Sequence, residues 1–88
     1  MKHVQLDRES LFQKVGNEAV LLDLKKGNYF QLNEIAAIIL DFLIEGKSPD
    51  EIVSRICHDY DVKPAVVESD MNDLLKELER HDLLAKND

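Results

Sequence analysis

Glu18-Ala19-Val20-Leu21-Leu22-Asp23-Leu24-Lys25-Lys26-Gly27-Asn28-Tyr29-Phe30-Gln31-Leu32-Asn33 is the stretch whose reading decides the fold. Ala19 to Leu24 form a half-buried strand pattern, with Val20, Leu22 and Leu24 on one face by period-two alternation. Lys25 to Asn28 makes a hairpin connection in which Gly27 or Asn28 can take a positive φ. Tyr29 to Leu32 follows as a strand, with Phe30 and Leu32 on the face opposite Tyr29 and Gln31. Upstream, Phe12 and Val15 lie in a short run that ends at the turn pair Gly16-Asn17. Three strands joined by short turns make an antiparallel meander. Its third strand is an edge unless something covers it.

Downstream of Asn33 the period becomes helical. Asn33 is an N-cap, and Ile35, Ile38, Ile39, Phe42 and Leu43 share one stripe, widened by Ala36, Ala37, Leu40 and Ile44. Gly46 closes this first helix as a C′ residue. Ser48-Pro49-Asp50-Glu51 is a capping box with Pro at the first helical position. It opens a second helix whose face holds Ile52, Val53, Ile56, Cys57 and Tyr60. Pro64 opens a third, with Val67, Met71, Leu74, Leu75 and Leu78 apolar and Val66 at the margin. His81-Asp82 ends it, and Leu83-Leu84 can fold back onto the core. Strands followed by helices predict an α+β fold, helices on one sheet face, in a winged helix-turn-helix-like outline.

The 88 residues are room for one domain. Residues 1–10 read as a loose N-terminal arm or short edge strand, 11–84 as the domain, and 85–88 as a C-terminal tail. A composition 44% hydrophobic and 33% charged is that of a soluble globular chain rather than a disordered tail. A chain this short has little room to enclose a cleft of roughly 300–1,000 Å³, which argues against an enzyme. No uncharged run approaches the ~20 residues that span a bilayer. Residues 1–7 lack the apolar region of a secretory signal, and a single cysteine fits a reducing compartment, so the expected location is cytoplasmic.

Net charge is −7 and uneven: residues 1–44 carry five Lys/Arg against six Asp/Glu, residues 45–88 six against twelve. The third helix, the would-be recognition helix of a DNA-binding winged helix, sets Lys76 and Arg80 against Glu68, Asp70, Asp73, Glu77 and Glu79. Such a face repels phosphate. Cys57 falls on an apolar stripe and reads as structural. No pair of Cys or His has metal-ligand spacing, and no phosphate loop or nucleophile motif is present, so no cofactor and no metal are expected. The acids of the third helix read as a solvated face. Two readings of the third strand stay open at this point. An extended peptide joins its free edge, or the N-terminal arm covers that edge through Val4 and Leu6.

Glu18 to Leu24, then Gly27-Asn28-Tyr29-Phe30-Gln31-Leu32-Asn33, and later Asp61-Val62-Lys63-Pro64 opening a helix that ends near Leu83-Leu84, together resemble the PqqD-like family. The resemblance spans residues 11–84. The Tyr-Phe-Gln-Leu-Asn passage is most like the stand-alone members of lasso-peptide clusters. It implies a recognition element for ribosomally made, post-translationally modified peptides. Such an element binds a precursor's leader region as a strand along the third strand, packed against the third helix. It has no catalytic activity and delivers the precursor to a separate leader peptidase or radical SAM enzyme. Carried over, the peptide-binding residues are Tyr29, Phe30, Gln31 and Leu32 on the strand, and Val67, Asp70, Met71, Leu74 and Leu78 on the helix. The alternatives are a homodimerising adaptor, or a DNA-binding regulator. Lys63 stands where a capping Asp or Ser is commoner, and Asp82 where a Gly often ends the helix.

Overall fold

A computed structural model describes residues 4–85. His3, with the rest of residues 1–3 of the arm, and residues 86–88 of the tail lie outside the described residues. Three strands, β1 (Ser10–Val15), β2 (Glu18–Asp23) and β3 (Asn28–Leu32), precede three helices, α1 (Glu34–Ile44), α2 (Pro49–Asp59) and α3 (Pro64–Arg80). The sheet is antiparallel, in the order β1-β2-β3.

Local chemistry sets each boundary. At Gly16-Asn17 only the glycine has positive φ, 64°, as the first position of a II′ hairpin turn requires. In the second turn Gly27 takes φ 74° and donates its N–H to the Asp23 carbonyl at 2.8 Å. Asp23 Oδ1 accepts the N–H groups of Lys25 and Lys26 inside the same turn. Asn33 separates β3 from α1 and caps the helix, its side chain accepting the Ala36 N–H at 2.9 Å. Ser48 caps α2 on the Glu51 N–H, with Pro49 in the first turn. Lys63 gives α3 no side-chain cap.

The core lies between the sheet and the helices: Ala19, Leu21 and Leu32 from strands, Ile39, Leu40 and Leu43 from α1, Ile52 and Ile56 from α2, and Val67, Met71, Leu74 and Leu78 from α3. Here β2 departs from its sequence reading. The buried face is Ala19-Leu21-Asp23, while Val20 and Leu22 are half-buried on the other face and Leu24 lies exposed in the turn. Residues 19–22 are apolar on both faces, so alternation alone does not choose the side. The helices close on the face with the small Ala19, and Asp23 turns inward to bond the turn. Tyr60, grouped with the α2 stripe, lies one residue past the helix and is exposed.

Among the described residues, the N-terminal segment is not laid on β3. Leu6 pairs antiparallel with Leu84. The Asp7 N–H donates to the Leu83 carbonyl at 2.8 Å, and the Ala85 N–H to the Gln5 carbonyl at 2.7 Å. Leu83 is fully buried beneath this pairing, so burying Leu6 against the returning C-terminal segment directs the arm away from β3. Lys25 fastens the junction, with ion pairs to Asp7 at 3.0 Å and Asp82 at 3.8 Å. Among the described residues, no helix is long and apolar enough to cross a membrane.

Candidate functional site

The ladder itself shows which backbone groups of β3 are unpaired. The Leu24 N–H donates to the Glu9 carbonyl of the β1 side at 2.8 Å. Backbone groups alternate along a strand, so Val20, Leu22 and Leu24 bond toward β1 and Ala19, Leu21 and Asp23 toward β3. The partners of the latter set are Leu32, Phe30 and Asn28. Tyr29 and Gln31 therefore aim their N–H and C=O groups away from the sheet. Among the described residues no segment covers that edge.

Beside the edge runs a groove of about 620 Å³ between β3 and α3. It is open to solvent rather than enclosed. Its floor is apolar: Leu21, Leu74, Leu78 and Leu83, all buried. The strand wall is Tyr29 to Leu32, continued by Asn33 and Ala36 at the start of α1. The helix wall is Asp70, Asp73 and Glu77. At one end the Phe30 ring rests on the imidazole of His81, centroids 4.4 Å apart. Glu77 in turn holds His81 at 3.2 Å and Arg80 at 3.4 Å.

Of the residues named from sequence, Tyr29, Phe30, Gln31, Leu32, Asp70, Leu74 and Leu78 lie along this groove. Val67 and Met71 do not. They are 0% and 5% exposed and belong to the core without reaching the groove. Asp73 and Glu77, part of the face that the sequence reads as solvated, line the groove beside Asp70. Their spacing from Asp70, i+3 and i+7, was the available signal, since it puts all three on one side of a helix.

A sequence model of the family described as coenzyme PQQ synthesis protein D (PqqD) matches residues 18–84. No curated protein matches the chain. Among solved structures, TbiB1 in complex with the TbiA(beta) leader peptide is 36% identical, over 96% of this chain and 98% of that one, with a TM-score of 0.77. Lasso peptide synthetase B1 complexed with the leader peptide is 28% identical, over 97% and 100%, with a TM-score of 0.83.

Proposed function

The chain belongs to the PqqD family, and from that premise we propose that it recognises the leader region of a ribosomally synthesised precursor peptide by strand addition to β3. The observation that carries this reading is the unpaired edge at Tyr29 and Gln31, lying over an apolar-floored groove. It is supported by likeness, along nearly the whole chain, to two proteins whose structures hold a leader peptide.

The physics divides the work. Tyr29 and Gln31 supply backbone bonds that any peptide can accept, each worth about 0.5–1.5 kcal/mol net. Apolar leader side chains over Leu74 and Leu78 add about 1.5–3 kcal/mol apiece. The chain makes and breaks no bonds in this scheme. It holds the leader while a separate maturation enzyme, a leader peptidase or a radical SAM enzyme, does the chemistry, so precursor incubated with the chain alone keeps its mass.

Gln31→Pro tests the mode directly. Proline removes an outward N–H, and edge strands tolerate it. Fluorescence polarisation with a labelled TbiA(beta) leader peptide, the ligand of the 36% identical TbiB1, should show affinity falling more than tenfold, with an unchanged circular-dichroism spectrum. Full affinity in a folded Gln31→Pro variant would mean that the leader does not add as a strand.

A further inference from the structure

The two walls of the groove differ in charge. The strand wall is neutral, the helix wall carries Asp70, Asp73 and Glu77, and no lysine or arginine lines either. Glu77 is engaged by Arg80 and His81. Asp70 and Asp73 have no ion-pair partner among the described residues, and Asp70 is already half-buried. A peptide laid along β3 roofs the groove and strips more water from both carboxylates. An ionised carboxylate loses solvation at a cost unless a cation or donor replaces the water.

Resting on the leader-binding reading, we propose that Asp70 and Asp73 set leader specificity by charge. They favour a lysine or arginine on the helix-facing side of the added strand and reject an acidic residue there. Side chains of an added strand alternate, so every second one faces α3, about 7 Å from the next. Asp70 and Asp73 lie about 4.5 Å apart along the helix axis. One basic side chain between two apolar anchors therefore meets both carboxylates. The groove's floor selects for apolar side chains wherever they fall, whereas the carboxylates mark one position. The repulsive half of the selection is as informative as the attractive half, since it excludes acidic peptides of otherwise suitable shape.

The test is selection from an mRNA-displayed library of random 16-residue peptides on the immobilised full chain. Three proteins are compared: the wild type, Asp70→Asn/Asp73→Asn, and Glu68→Gln/Glu79→Gln. The last pair makes the same charge change on the same helix at exposed positions outside the groove. Wild type and the Glu68/Glu79 variant should enrich peptides with Lys or Arg beside apolar residues and deplete Asp and Glu. The Asp70/Asp73 variant should keep the apolar enrichment and lose the basic one. A wild-type-selected peptide should bind that variant roughly three- to tenfold more weakly at low salt, the gap closing at high salt. Apolar enrichment without basic enrichment, or equal loss in both variants, overturns the charge proposal and leaves leader binding standing. Failure of the wild type to enrich any peptide overturns the leader-binding reading, and the charge proposal with it.

Discussion

Asp82 sits in the left-handed region at φ 58°, the one non-glycine residue among those described to do so. It follows the C-cap His81 and completes a Schellman closure: the Leu83 N–H donates to the Leu78 carbonyl at 2.9 Å and the Asp82 N–H to that of Glu79 at 3.1 Å. At the end of α1 the same closure uses Gly46 at φ 89°, with Lys47 bonded to Phe42 and Gly46 to Leu43. An L-residue in that conformation is strained, and an acid at a helix C-terminus opposes the helix dipole. Asp82→Gly should therefore raise unfolding free energy by about 0.5–1 kcal/mol, read from the urea midpoint at constant m. The sequence already marked the position as a departure from a glycine. What it could not show is that Lys25 approaches Asp82 across the molecule.

Among the described helices, α3 is the longest and lacks the side-chain cap that α1 and α2 have. Its first turn has no acidic residue to offset the helix dipole, and Lys63 meets these N–H groups with its carbonyl alone, accepting from Val66 at 3.0 Å and Val67 at 3.3 Å. Lys63→Ser should stabilise the domain by about 0.5–1 kcal/mol in thermal or urea unfolding. It lies outside the groove lining, so leader affinity should not change. The elements also show where sequence patterning carries information. In β3 one face is aromatic or aliphatic and the other holds Tyr29 and Gln31, and the structure follows that alternation. In β2 four apolar residues in a row erase the signal, and the choice of face belongs to packing against the helices. On α3 the stripe gathers Leu74 and Leu78, but a stripe does not distinguish the residues under the groove from Val67 and Met71, which are buried elsewhere in the core. That distinction depends on where α3 lies relative to β3, a non-local fact.

At the scale of the whole molecule, Lys25 joins three distant parts: the arm through Asp7, the β2–β3 turn that carries it, and the end of α3 through Asp82. The Glu9 N–H, and then Lys25, hold the Asp7 carboxyl below its ordinary value of 3.8. Asp7 in turn raises Lys25 above 10.5. A lowered folded-state carboxyl contributes stability present above pH 3.8 and lost as pH falls through the folded value. A raised lysine contributes stability present below pH 10.5 and lost as pH climbs through its folded value. Urea titrations across pH should thus show stability declining at both extremes, and Lys25→Met should flatten the alkaline limb and lessen the acid one, part of which the Glu9 N–H on Asp7 sustains. An unchanged profile in that variant would mean that the cluster is spectator charge.

Because neighbouring backbone groups alternate in direction, only two residues of the five-residue β3 present theirs outward. A visitor gripped there is held over roughly 17 Å at most. Anything longer must trail off at both ends, leaving its distant portion hanging in water within reach of a second protein. A clasp this narrow carries its cargo by the handle and hides none of the blade.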